Sequence, residues 1–233
     1  MTYKLLIAVK SCLRDLDRGC HDVIRATWGK SLPPGVLLRF FVGAEANSRV
    51  SRNFKSDEVL LDCPDDYMSL SFKTREICRW TTTKMVSHVF LCDNDTFLIP
   101  KKLLLSGYEN YDYMGKFTQP KIGTRFDYSD IGPDGVERQY PRAHPWASGG
   151  FGYFLSHYAC GEVADEYPLP KIWAEDMWVG QVMGDLYSTG DAKLAHSDHG
   201  VYSWHFPQRT FKSSYDPKFH WMESMYEGHK GDM

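Results

Sequence analysis

No stretch of this 233-residue chain stays apolar for the roughly 18 residues that a membrane span requires. Its opening, MTYKLLIAVKSC, is short and soon charged, so it reads as a first strand rather than a signal peptide. Cysteine pairs are missing too. Cys12, Cys20, Cys63, Cys78, Cys92 and Cys160 are scattered with no Cys-x-x-Cys, which predicts reduced, buried thiols rather than disulfides. There is no excess of basic residues: a net charge of −3 and a pI near 6.3 exclude a general nucleic-acid coat and leave room only for a local basic patch. The chain has no Gly-x-x-x-x-Gly-Lys phosphate loop, no Gly-x-Ser-x-Gly elbow and no His-Glu-x-x-His helix, and His196-x-x-His199 alone is too weak to argue a metallohydrolase. Repeats, low-complexity tracts and linkers are absent. These absences predict one soluble cytosolic domain over residues 1–233, with no membrane and no obligate protein partner implied.

What is present is a large core. At 42% hydrophobic and 15% aromatic, the sequence can bury a sizeable interior. Apolar runs at Tyr3–Val9, Val36–Val42, Glu58–Leu61 and His88–Cys92 predict strands. Helical spacing over Asp17–Trp28 sets Cys20, Ile24, Thr27 and Trp28 on one stripe. Spacing over Leu70–Met85 does the same for Leu70, Ile77, Cys78, Thr81 and Met85. Strands separated by helices imply right-handed crossovers and a mostly parallel sheet, whose ligands bind beyond the carboxyl ends of the strands. The second half is less regular. Thr118 to Trp146 is rich in Gly, Pro, Asp and Arg and predicts a long surface loop. WAEDMWVGQVMGDLY predicts a helix opening at Glu175 and Asp176, and the stretch from Ser213 has only weak helical character.

Within SHVFLCDNDTFLIP an apolar run stops at two aspartates, then resumes. Residues two apart on an extended segment point the same way, so Asp93 and Asp95 would present two carboxylates at the mouth of the sheet. Such a pair is tolerable if a divalent cation neutralises it. The bland alternative is a turn, since Asp-Asn-Asp is good turn chemistry. A second such pair, Asp15 and Asp17, reads as an ordinary helix-start cap. Lys73 falls on the apolar stripe of its helix, so it either snorkels to solvent or meets an anion such as a phosphate near the acidic pair. Arg25, in VIRATWG, offers another cation. A metal with two basic residues is equipment for stabilising a departing diphosphate.

VIRATWG followed by RFFVG, DCPDDYMSLSFKTREICRW, VFLCDNDTFL, ASGGFGYFLS and EDMWVG together resemble, in order, the motifs of the β-1,3-galactosyltransferase and Fringe-like glycosyltransferases. They span roughly Val23 to Gly180. The resemblance implies a GT-A-type α/β fold, with a mostly parallel central sheet flanked by helices. A nucleotide-sugar-binding half, residues 1–100, would precede an irregular acceptor-binding half, residues 101–233. It also implies a UDP-sugar donor, Mn²⁺ (or Mg²⁺), and inversion at the anomeric carbon. Carried over by position, Asp95 would bind the metal and Asp93 the donor's ribose, the metal shell or both. Ser11, Arg25 and Lys73 would contact the donor, with Ser11 near the uridine. Asp176 would be the general base, although Glu175 and Asp176 could equally cap their helix. Trp146, Gly149, Gly150 and Glu175 would belong to the acceptor side. The family's downstream metal-binding histidine would be His205, with His196 and His199 as rivals.

Two features depart from the family. Asn94 stands where a middle aspartate is usual, and the membrane anchor, stem and disulfides have no counterpart. Asn94-Asp95-Thr96 is also a glycosylation sequon inside the expected site, harmless only in the cytosol. The expectation is a stripped-down cytosolic relative of microbial or viral origin. Its acceptor would be a glycan hydroxyl, or alternatively a hydroxymethylated pyrimidine in DNA. The alternative rests on Lys121, Arg125, Arg138 and Arg142 interleaved with Phe126, Tyr128, Tyr140 and Trp146, a mixture that suits phosphate and base contact. A non-catalytic nucleotide-sugar-binding protein is the reading from another class.

Overall fold

A computed structural model describes residues 3–44, 53–119, 121–166, 172–206 and 217–233. The first half runs β1 (Tyr3–Lys10), α1 (Leu13–Asp17), α2 (Cys20–Ala26), β2 (Val36–Ala44), β3 (Glu58–Pro64), α3 (Leu70–Thr82), β4 (Val86–Asp93), β5 (Thr96–Leu98) and α4 (Pro100–Leu104). It continues through β6 (Tyr113–Gly115), β7 (Phe126–Ile131), β8 (Glu137–Ala143), β9 (Tyr153–Ser156), α5 (His157–Asp165), α6 (Glu175–Thr189), β10 (Leu194–His196), β11 (Ser203–His205) and α7 (Pro217–His229).

Seven strands form one sheet in the order β10-β6-β9-β4-β1-β2-β3, and only β9 runs against its neighbours. The mostly parallel α/β sheet flanked by helices is the one the sequence predicts. Parallel strands are covered on both faces, so they are apolar throughout. In β1, Leu6 and Ala8 enter a core built with α3, α5 and α6, while Leu5, Ile7 and Val9 enter another shared with α2 and α7. All five are fully buried.

Several boundaries differ from the expectation. The Asp17–Trp28 helix is broken at Gly19, whose φ of 83° is left-handed and suits glycine. Cys20, Ile24, Thr27 and Trp28 are nonetheless all buried. Met85 lies past the end of α3 and is 67% exposed, so it is no part of that stripe. The expected Thr118–Trp146 loop contains the antiparallel hairpin β7–β8, its exposed and half-buried residues alternating along β7 and through Glu137 to Pro141 of β8. The C-terminal stretch contains a 13-residue helix, α7, that buries Met222 in the core, while residues 213–216 lie outside the described ones. All six cysteines are free thiols. No described helix is long and apolar enough to cross a membrane.

Candidate active site

Because β1, β3 and β4 run parallel, their carboxyl ends deliver Lys10 and Ser11, Asp65, and Asp93 to Asp95 to one edge of the sheet. Antiparallel β9 brings its opening segment, Gly149 to Tyr153, to the same edge. The N-terminus of α6 adds Glu175 and Asp176, and β11, paired antiparallel to β5 with His205 opposite Thr96, adds His205. Residues of all these segments line a cleft of about 930 Å³, within the size range of small-molecule sites.

Asp93, Asp95 and His205 place one ligand atom each within 4.8 Å of one another. His205 Nε2 is 3.2 Å from Asp95 Oδ1, and Asp95 is 3% exposed. Asp95 sits in the tight turn between β4 and β5, so the turn chemistry and the convergence of carboxylates coexist. Two carboxylates and an imidazole are a donor set that suits a divalent transition-metal cation such as Mn²⁺ better than Mg²⁺, which prefers oxygen alone. His196 lies elsewhere, its Nδ1 accepting the Phe117 N–H at 3.3 Å, and the side chain of His199 is outside the described ones.

The sequence reading missed Lys10. It ends β1, is 4% exposed, lies 3.2 Å from Asp93 Oδ1, and donates to Glu175 Oε1. Burial alone would lower its pKa; Asp93 and Glu175 outweigh burial and hold it well above the ordinary value. Glu175 also accepts the Tyr153 hydroxyl. Burial pushes its carboxyl up to about 7 against the pull of Lys10, with Asp176 and Asp93 adding to the rise. Three carboxylates thus share one lysine, an imbalance that favours a further cation at Asp93. A lysine closing an otherwise apolar strand was the signal available. Lys10→Met would leave two acids without their buried partner, so it is expected to lower stability by about 3–5 kcal/mol, read from the urea midpoint at constant slope.

Asp176 is only half-buried and opens onto the cleft. Its Oδ2 accepts the Gly149 N–H at 3.0 Å and its Oδ1 the Met177 N–H at 2.8 Å. Burial raises its pKa above the ordinary aspartate value, with Gly149, Lys10 and Met177 opposing. Neither Glu175 nor Asp176 is the helix cap; that position is Ala174, with no side-chain hydrogen bond. Gly149 and Gly150 are required by close approach. A Cβ on Gly149 would come within 2.4 Å of Glu175 Oε1, and one on Gly150 within 2.9 Å of the His205 ring. Trp146, 7% exposed, also lines the cleft.

The remaining expected donor contacts are placed as follows. Lys73, 2% exposed, meets its anion inside the protein: Nζ donates to Asp65 Oδ1 at 2.8 Å and to Ser11 O at 2.6 Å. Arg25 is not brought to the cleft. Its guanidinium donates to Asp22, Asp57 and Glu58 and stacks 4.8 Å from the Phe40 ring centroid. Asp15, read as a cap, is 8% exposed in the first turn of α1, and its Oδ2 accepts Asn94 Nδ2 at 2.9 Å.

Comparison with known proteins gives a match to the galactosyltransferase family model over residues 20–189. No curated protein matches the chain at a significant level. Among solved structures, the chain is similar to A197 from STIV, with 12% identity over 87% of this chain and 85% of that one and a TM-score of 0.40. It is also similar to the bifunctional IspDF of Campylobacter jejuni, with 9% identity over 90% of this chain and 53% of that one and a TM-score of 0.39.

Proposed function

Because the chain belongs to the galactosyltransferase family, a family of glycosyltransferases, we propose that it moves a hexose from a UDP-sugar to a glycan hydroxyl with inversion at the anomeric carbon. The observation that carries this is one cleft lined by both an Asp-Asp-His cluster and the half-buried Asp176. Asp95, Asp93 and His205 would hold Mn²⁺ or Mg²⁺, which when bound quenches the charge on the departing diphosphate. Asp176 accepts the proton of the acceptor hydroxyl. The new bond forms between that oxygen and the anomeric carbon as the bond to the UDP oxygen breaks on the opposite face, and UDP leaves with the electron pair. Glu175, held by Lys10 and Tyr153, has no such freedom and serves to orient them.

Cleft charge separates the two acceptors. Asp15, Asp65, Asp66, Asp93, Asp95, Asp130, Glu175 and Asp176 line it against Lys10, Arg14 and Lys73. A duplex of phosphates would meet net negative charge there. Of the basic hairpin-region residues, Arg125 is paired with Asp185 and Arg138 with Asp134. The mouth instead offers rings: Tyr67, Tyr128, Trp146 and Trp173 all line it, a surface suited to sugar faces. Incubation with a panel of UDP-sugars and Mn²⁺, followed by mass analysis of glycan and hydroxymethylated-DNA acceptors, is expected to add a hexose to glycans only. Transfer to DNA that falls steeply between 50 and roughly 200 mM salt would reverse the assignment.

A further inference from the structure

A second concavity lies at the other end of the sheet, where the amino ends of β1, β2 and β3 meet the carboxyl end of α3. Its volume is about 450 Å³, within the range of small-molecule sites. The floor is apolar: Tyr3, Leu37, Val59 and Trp80 pack against the core beneath them but are only partly buried. Arg39 and Lys84 stand on its walls, and no aspartate or glutamate lines it. The chain has 30 acidic residues against 27 basic ones, so two cations without a carboxylate are a local exception. Neither cation is neutralised. Arg39 donates to the neighbouring Leu38 carbonyl at 2.7 Å and makes no ion pair among the described residues. Asp57 feels its charge, but the Asp57 carboxylate is engaged by Arg25 at 2.6 and 2.9 Å. Lys84 is exposed and also lacks an ion pair among the described residues; its Nζ lies 4.6 Å from the Trp80 ring centroid. The end of α3 does not present bare acceptors here, because Trp80 O takes the Thr83 N–H and hydroxyl and Thr81 O takes the Lys84 N–H.

We propose that this groove is a second binding site, for a phosphate monoester carried on a flat apolar body. The body covers the partly buried rings and aliphatic side chains of the floor, and the phosphate meets Arg39 and Lys84. Two separate cations with no acid between them suit a dianion better than a singly charged carboxylate. The guanidinium of Arg39 supplies a planar fork and Lys84 a mobile point charge, a complementary pair for phosphate oxygens. The site is independent of the nucleotide-sugar reading. Tyr3 and Lys10 end the eight-residue β1 on opposite sides, so about 20 Å of strand separates the groove from the edge that carries Asp93 and Asp95.

The test is calorimetric titration, at low ionic strength, of phenyl phosphate, inorganic phosphate and phenol into the wild-type protein, Arg39→Gln and Lys84→Gln. Lys84 is exposed and Arg39 half-buried, and glutamine keeps part of each aliphatic stem over the floor. Thermal unfolding confirms that both variants are folded. The wild type is expected to bind phenyl phosphate about tenfold more tightly than inorganic phosphate or phenol, because that probe alone uses the floor and the cations together. Each substitution is expected to weaken phenyl phosphate by roughly three- to tenfold, the larger loss falling on Arg39→Gln, and to leave phenol binding unchanged. Phenyl phosphate held no better than inorganic phosphate overturns the proposal. An affinity for phenyl phosphate that neither substitution lowers overturns it as well, since the probe would then lie elsewhere on the protein.

Discussion

Replacing Asp176 by Asn is expected to lower kcat by on the order of 10³-fold while affinity for UDP with Mn²⁺ stays nearly intact. The carboxylate oxygens each accept one backbone N–H, from Gly149 and Met177, and the residue lines the cleft. An asparagine has the same shape but only one oxygen. It keeps one of the two backbone bonds and sets its NH₂ against the other N–H, a local cost of about 1–3 kcal/mol that thermal unfolding would register. It cannot take a proton from the acceptor hydroxyl at neutral pH. Removing one negative charge from a cleft already rich in carboxylates gives UDP no reason to bind less tightly. The same carboxyl sets an acid limb on activity. Its pKa is raised by burial, so the base form is complete above that raised value and activity is lost as pH falls through it. Residual turnover in Asp176→Asn is expected to lack that limb. Equal loss of UDP binding and turnover would mean that Asp176 is not the base, and turnover unchanged from the wild type would point to a different residue altogether.

The parallel core was legible because strands buried on both faces are written as unbroken apolar runs: β1, β2 and β4 extend the predicted runs by one, two and three residues. The ligand edge followed from topology, and Asp93, Asp95, His205 and Asp176 do converge there. Polar pairings across long sequence separations were not legible. Lys73 signalled an anion partner, but the sequence could not say that Asp65, folded over from the end of β3, supplies it. Arg25 carried the same ambiguity and is drawn into the Asp57–Glu58 pair. Lys10 and Glu175 are 165 residues apart, so no local pattern joins them. The β7–β8 hairpin was hidden for another reason. Both of its strands are half exposed, so polar residues fill alternate positions and dilute the signal of an apolar run.

Asp95→Asn is expected to weaken Mn²⁺ binding by on the order of 10²-fold or more, and to weaken UDP binding measured with Mn²⁺ along with it. The substitution keeps the size of the side chain, and the Phe206 N–H bond to the Asp95 backbone carbonyl does not depend on the carboxylate. What it removes is charge. Asp95 is 3% exposed beside His205 Nε2, so little solvent is available to substitute for the lost carboxylate. Asp93 compensates only in part, because Lys10 already draws on it at 3.2 Å. His205→Ala should cost less, since it removes a neutral donor from the same set. Mn²⁺ titrations followed by electron paramagnetic resonance, with and without UDP, would measure all three proteins. Paired with Asp176→Asn they form a double dissociation: one variant holds the nucleotide and fails at proton transfer, the other keeps its base and cannot hold the nucleotide. Wild-type Mn²⁺ affinity in Asp95→Asn would place the cation elsewhere and leave the Asp-Asp-His cluster as a structural pairing of β5 with β11.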